Sequence, residues 1–491
     1  MKKITILFAF MLGLMAINAQ NASDILRYST RQPLGSARYV GVGGSMGAIG
    51  ADFGAISDNP AGLASYYFSE IVISPSLYLN HTSSQLGDAP FSKENLYGGA
   101  LDNLGVVIVR NGRTGGNWRT SNFSIGLNKV ADFNNQLFFN GGSTGSITDH
   151  WREQALHVAP DDLSDFSSGL AYETGAIFDL DNDNVYESDF ISAANQLVTK
   201  SQLVKAKGYM SELQFAIAGN YKDRLLLGAS LGVPIVYFEE NKTYEEADPN
   251  QVIPAFERLK YTEYLKTKGT GINLKLGAIL KLHDMFRIGL SFQTPSLIEL
   301  DETYETGLSY SYTDQGKTET YENQSPQTGV FTYNVISPLR ARASFGSVIG
   351  KAGFVGASVE YVNYSQSQFD FNNQTSTTSD LEYQNQLNDD IEKQYGSALN
   401  YNLGAEIAVE ALRLRGGINL MGSPYSNESD YTSTYSAGLG YRGGRFFTDV
   451  AIRHSRYDDG YLPYTTYSND PQVVYNKHQL NRLVLTLGYK F

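Results

Sequence analysis

The feature that most limits what this chain can fold into is a period-two alternation of apolar and polar residues that recurs from residue 70 to the carboxy terminus. Leu399, Tyr401, Leu403, Ala405, Ile407 and Val409 would share one face of a strand, with Asn400, Asn402, Gly404, Glu406, Ala408 and Glu410 on the other. Leu213, Phe215, Ile217 and Tyr221 alternate with Gln214, Ala216, Ala218 and Asn220 in the same way. At the end of the chain Leu483, Leu485, Leu487, Tyr489 and Phe491 alternate with Arg482, Thr486 and Lys490. A carboxylate on a lipid-facing side is costly, so the polar faces are assigned to a lumen and the apolar faces to a bilayer.

Strand-like runs fall at about 70–82, 103–110, 119–131, 209–221, 224–240, 258–282, 284–312, 317–349, 352–371, 395–411, 412–420, 430–442, 445–457 and 475–491. That is about fourteen, an even number as in bacterial single-chain barrels. Their connectors sort by length. Tight ones lie at Lys222-Asp223, His283-Asp284, Gly350-Lys351, Glu410-Ala411 and Gly443-Gly444, and long polar ones at 132–208, 241–257, 372–394 and 458–474. Short turns at one end and long loops at the other are the arrangement of an outer-membrane barrel. In the long connector 132–208, Phe133–Asn140 could extend the third strand, and Asp161–Ile177 and Ser188–Lys205 are expected to form short extracellular helices.

Composition supports a membrane barrel over a row of soluble domains. Charged residues are 18% of the chain, against about 25% in soluble domains. Glycine, tyrosine and phenylalanine reach 48, 34 and 25 residues, which suits tight turns and interfacial aromatics. A net charge of −13 with no basic run argues against a nucleic-acid surface. With no cysteine there is no disulfide, no Cys-ligated zinc and no lipidated cysteine, so the fold itself must anchor the chain.

The amino terminus departs from the strand pattern twice. Lys2 and Lys3, the apolar Ile4–Met15 and the small residues before Gln20 form a secretory signal, giving a leader at 1–19. Residues 20–69 are then expected to form a hatch inside the barrel of 70–491. Its centre, Tyr39–Ala64, is rich in small residues, has no alternation and too little bulk for a core of its own. It closes on Asn59, Pro60, Ala61 and Gly62, a turn that hands the chain to the first strand.

Other constellations favour structural explanations. Asp179, Asp181 and Asp183 are spaced like the start of a calcium loop, but the glycine at loop position six is missing and Phe190 stands where a closing Glu belongs, so a solvated acidic loop is expected and no metal is assigned. Glycines 41, 43, 44, 47 and 50 fail the G-x-G-x-x-G spacing at Met46 and no Walker-type lysine follows, which leaves tight packing as their reason. His81 and Ser83 share one strand face, part of a hydrolytic pair as in outer-membrane lipases, without a visible third group or oxyanion site. The six histidines have no ligand spacing. Glu406 and Glu410 are expected to be solvated lumen residues.

The order of parts resembles the FadL/TodX family of outer-membrane transporters for long-chain fatty acids and other hydrophobic compounds. The resemblance runs over the whole mature chain. It rests on the Gly/Ala-rich segment ending in Asn59-Pro60-Ala61-Gly62, on Gln293-Thr294-Pro295 after Ile288–Phe292, and on Ser337-Pro338 before Arg340-Ala341-Arg342. Arg415-Gly416-Gly417-Ile418 with Ser423-Pro424, and the terminal Gly488-Tyr489-Lys490-Phe491, complete it. It implies an all-β transmembrane antiparallel barrel of fourteen strands with a lumenal hatch, passing apolar molecules without energy input. Release would be sideways into the membrane at a kinked third strand, here Arg119–Ala131 with Gly126 and Asn128 as kink candidates. The expected partners are a hydrophobic small molecule, outer-membrane lipid and the barrel assembly machinery, and the expected state is a monomer without cofactor or catalytic residues. The alternatives are a lipid-acting hydrolase, marked by esterase activity lost in Ser83→Ala, and a structural or adhesive surface barrel, marked by a solid lumen.

Overall fold

A computed structural model describes residues 21–112, 116–193, 195–371, 377–467 and 471–491; the expected leader at 1–19 lies outside them. The strands are β1 (Glu70–Leu86), β2 (Ser92–Asn111), β3 (Trp118–Asp132), β4 (Asn135–Ser143), β5 (Val198–Tyr221), β6 (Leu225–Ala247) and β7 (Phe256–Lys281). They continue as β8 (Phe286–Gln293), β9 (Leu297–Asp314), β10 (Lys317–Gln324), β11 (Gly329–Ile336), β12 (Arg340–Ile349), β13 (Gly353–Asn363) and β14 (Gln368–Asp370). The last are β15 (Ser397–Val409), β16 (Leu412–Gly422), β17 (Tyr431–Gly443), β18 (Phe446–Tyr461) and β19 (Val474–Lys490). Each pairs antiparallel with its neighbours, and β1 pairs β19 from Glu70↔Lys490 to Leu86↔Val474, which closes the sheet. The pairing of the first strand with the last leaves the sheet no terminal strand, the condition for crossing a bilayer with strands.

These segments make a closed barrel of 14 wall strands. Four passages are broken in mid-course: β3/β4, β8/β9, β11/β12 and β13/β14. β10 is a hairpin arm that pairs only with β9. Proline explains two of the breaks, because Pro295 and Pro338 have no N–H to give the ladder. Side chains and stray backbone groups repair the gap: Thr294 N donates to Leu274 O at 3.0 Å, and Ser296 N to Ser337 Oγ at 2.9 Å.

The tight turns take left-handed backbone, with Glu410 at φ 52° in a two-residue hairpin and Lys222 and Asp223 at 53° and 57° in the three-residue loop between Tyr221 and Leu225. Outward residues such as Leu403, Leu439 and Leu483 form the exposed apolar band. Aromatic pairs stand near its margin: Trp118–Tyr221 at 5.3 Å and Phe446–Tyr489 at 4.7 Å between ring centroids at the short-turn end. No helix among the described residues is long and apolar enough to cross a membrane, which says nothing about strands.

Several sequence expectations need correction. The second strand begins at Ser92, not near 103, and the run expected at 209–221 begins at Val198. Ser188–Lys205 is therefore not helical from Val198 onward: Val198, Lys200, Gln202 and Val204 point inward while the strand pairs with β4 and β6. Within Asp161–Ile177 only α5 (Ser168–Glu173) is α-helical, and α4 (Ile147–Ala155), with its Ser146 capping box, precedes it. The connector 372–394 carries α6 (Thr378–Gln394). Glu406 is buried and paired, whereas Glu410 lies in an exposed turn.

Candidate functional site: a filled lumen and a broken wall

Residues 21–69 run inside the barrel as short pieces: α1 (Asp24–Ser29), α2 (Ala37–Gly41), α3 (Phe53–Ile56) and a 3-10 turn at Pro60–Ser65. Helices this short need external support. Local caps give part of it. Ser36 Oγ accepts from Tyr39 N at 3.1 Å and donates to Asp52, whose carboxylate accepts from Gly54 N at 2.9 Å. Asn59 caps the 3-10 turn by accepting from Ala61 N at 3.1 Å, and its amide donates to Gly47 O at 2.7 Å.

The wall supplies the rest by thinning itself. Gly346, Gly356, Gly404 and Gly417 are successive register partners across β12, β13, β15 and β16. A β-carbon on Gly356 would strike Ser45 O, and one on Gly404 or Gly417 would strike the Val42 carbonyl. On the other side Gly228 and Gly277 face Asn59, Pro60 and Ala61, while Phe53 covers Gly105 and Gly126. The lumenal segment thus lies on bare backbone, and that is what its low-bulk sequence is for.

Ion pairs fix it further. Arg31 reaches Glu212 at 2.6 Å, Arg38 reaches Glu406 at 2.9 Å, and Asp58 receives Arg342 at 2.7 Å. Each wall partner has a second wall contact: Lys275 to Glu212, Arg415 to Glu406 at 2.7 Å, and Arg342 to Glu360 at 2.8 Å. Burial pushes the Asp58 carboxyl above the ordinary carboxylate range, although Arg342 and the Tyr39 hydroxyl act the other way.

Towards the long-loop end the filling turns apolar. Ile25 and Tyr28 of α1 are buried with Val130, Ala131, Val236, Leu300, Tyr333 and Phe369. Beyond α1, Trp151 of α4 packs with Phe139, Phe190, Phe256 and Tyr310 as a cap under the loops.

Beside α1 the wall is incomplete. β2 and β3 pair from Asn111↔Thr120 to Asn103↔Asn128 and no further. At the next step β3 shifts register between Lys129 and Ala131 and gives way to β4, which pairs with β5. β4 leans on the lumenal face of β1: Asn80 donates to Asn134 O at 2.8 Å and Thr82 to Asn135 at 3.3 Å. Among the described residues, the edge of β2 from Ser92 to Asp102 facing β3 has no strand partner. Gly126 and Asn128 sit just below the shift, in regular pairing. Asn128 donates to Ser57 Oγ at 2.7 Å, and Gln32 N donates to Val130 O at 2.8 Å, so the lumenal segment is bonded to the bend itself. Arg482, between Asp102 at 2.6 Å and Asp132, forms the floor of the opening.

Asp179, Asp181 and Asp183 come together, with ligand oxygens within 4.8 Å of one another, but Asp179 already accepts from the backbone of Asn182, Asp183 and Asn184. The glycines at 43, 44 and 50 adopt positive φ and pack against wall or neighbouring backbone. The hatch expected at 20–69 takes in α1, but sequence reasoning missed its helix and apolar face, because Ile25 and Tyr28 stand in a mostly polar stretch. Their spacing of three was the available signal.

No family model and no curated protein matches the sequence. Solved structures do. A FadL homologue from Pseudomonas aeruginosa is similar over 94% of this chain and 100% of its own, at 11% identity and a TM-score of 0.55. The toluene transporter TodX from P. putida is similar over 94% of this chain and 99% of its own, at 13% identity and a TM-score of 0.51. This chain has the FadL/TodX fold.

Proposed function

We propose that the protein is an outer-membrane channel for passive entry of small hydrophobic molecules such as long-chain fatty acids or aromatic hydrocarbons. After removal of the leader at 1–19, residues 20–69 act as a hatch, the long loops face outward, and ligand leaves sideways through the opening beside β2. The observation that carries this is the juxtaposition of α1, seated in the apolar part of the lumen, with the unpaired edge of β2. An apolar solute that passes from a dry cleft into lipid never crosses water, so the route avoids the hydration cost of about 25 cal/mol per Å² of apolar surface. A packed lumen would also suit a structural barrel. Here, however, the filling is a helix of only six residues, and the edge of β2 beside it has no strand partner among the described residues.

The test is uptake into proteoliposomes of labelled oleate and of toluene. Wild-type protein should speed entry of at least one, and Ile25→Ala/Tyr28→Ala should speed it further by emptying the apolar cluster. If neither protein exceeds empty liposomes for either compound, the proposal fails.

A further inference from the structure

One group of residues lies outside the lumen and is not used by transport. On β1 the outward row runs Leu77, Leu79, His81, Ser83 and Gln85. Ser83 Oγ is 3.2 Å from His81 Nε2, and His81 Nδ1 is 2.9 Å from the Asn95 Oδ1 of β2, its direct register partner. An amide oxygen can only accept, so Nδ1 carries the ring proton and Nε2 offers its lone pair to the Ser83 hydroxyl. The third group that sequence could not supply is Asn95, placed by strand pairing.

The position suits a lipid substrate. Ser83 lies roughly 43 Å along the strand from Glu70, which at a tilt of about 40° is roughly 33 Å in height, just past the apolar band and at headgroup level. Leu77 and Leu79 lie immediately below it, both exposed. β1 is paired through Ser83 on both sides, so its amides are committed to the ladder and an oxyanion must be met by side chains. The two register partners of Ser83 are Lys93 and Lys477. Lys477 Nζ stands 4.7 Å over the Phe91 ring, which places the ammonium across the outward face of β1, since Lys477 is on β19 and Phe91 precedes β2.

We propose that Ser83 and His81 are the nucleophile and base of a second, hydrolytic site on the outer wall, oriented by Asn95, which cleaves carboxylic esters of lipids in the adjacent leaflet. Ser83 Oγ adds to the ester carbonyl as its proton passes to His81 Nε2, and Lys93 and Lys477 face the oxyanion. The carbon–oxygen bond to the alcohol breaks, and the alcohol takes the proton from Nε2. Water then adds to acyl-Ser83 with His81 as base, and Ser83 leaves with that proton. The net change is ester plus water to acid plus alcohol. A neutral Asn stabilises the imidazolium less than a carboxylate would, so turnover is slow.

The test uses full-length protein in detergent micelles with p-nitrophenyl laurate, in phosphatidylglycerol vesicles, and with a fluorophosphonate probe. The expected results are p-nitrophenol and free fatty acid release, and probe on the Ser83 peptide. Ser83→Ala should abolish both, and His81→Ala should cut hydrolysis about 100-fold or more. Asn95→Asp should move the acid limb of the pH–rate profile upward, which a merely structural contact would not do. Heat-dependent gel mobility shows that each variant keeps its barrel. No hydrolysis by folded wild-type protein, or hydrolysis unchanged in Ser83→Ala, overturns the proposal. Hydrophobic uptake is untouched by Ser83→Ala in either case, so the two functions fail separately.

Discussion

Asn59 of the lumenal turn lies directly on the backbone of Gly277 in β7, so closely that a β-carbon there would collide with Asn59 Oδ1. Gly277→Val should therefore lift the Pro60–Ser65 turn from the wall and expose the amino-terminal segment to trypsin, while leaving the barrel closed. Gly416→Ala is the control, because nothing lies within 4 Å of a β-carbon at that position. Asn59→Ala should show a milder form of the same exposure, since loss of a cap costs about 1 kcal/mol.

Arg342 joins Asp58 of the lumenal segment to Glu360 of the wall, at 2.7 and 2.8 Å. Arg342→Met leaves Asp58 buried without its cation and should destabilise the protein by about 3 kcal/mol, the penalty of breaking one side of a buried pair. Asp58→Asn in the same chain should recover part of that loss. Urea unfolding followed by gel mobility measures both.

His150 in α4 makes the loop cap sensitive to acid. Nδ1 donates to Thr465 O at 2.7 Å in either protonation state, whereas Nε2 accepts from Gln154 at 2.9 Å only while the ring is neutral. Burial lowers its pKa from the ordinary 6.5, with the Thr465 carbonyl acting the other way. A folded-state pKa below the unfolded one gives stability that is complete above about 6.5 and drains away as pH falls from there towards the folded value. Proteolytic nicking between residues 143 and 193 should be faster at pH 5.5 than at pH 7.5, and His150→Gln should flatten the difference.

The barrel was legible wherever a strand has lipid on one side and lumen on the other, because that contrast writes period two into the residues, as in Leu399–Val409. Legibility failed in the first half of the second strand. Residues 92–102 hold Glu94, Asn95, Gly98 and Gly99 among few apolar residues, so the alternation fades there. α6 was hidden for another reason. Only Leu387 and Ile391 are buried, while Gln384 and Asn388 spend their amides on the edge of β14, bonding Phe371 N at 2.7 Å and Phe369 N at 2.9 Å. The inward bend at 129–134 carries no proline or glycine to announce it. Nor could Asn95 be joined to His81, since their meeting depends on the register between β1 and β2.

The central claim is that α1 must leave its seat for a ligand to pass, and one tether tests it. Ser29 Oγ and Ser367 Oγ are 3.2 Å apart, joining the end of α1 to the wall, and the chain has no cysteine of its own. Ser29→Cys/Ser367→Cys should form a disulfide within reach of normal geometry. Uptake of oleate or toluene into proteoliposomes should stop when this bridge is oxidised and return when it is reduced. Equal uptake in the oxidised and reduced states, with the bridge verified by mass spectrometry, would contradict the account.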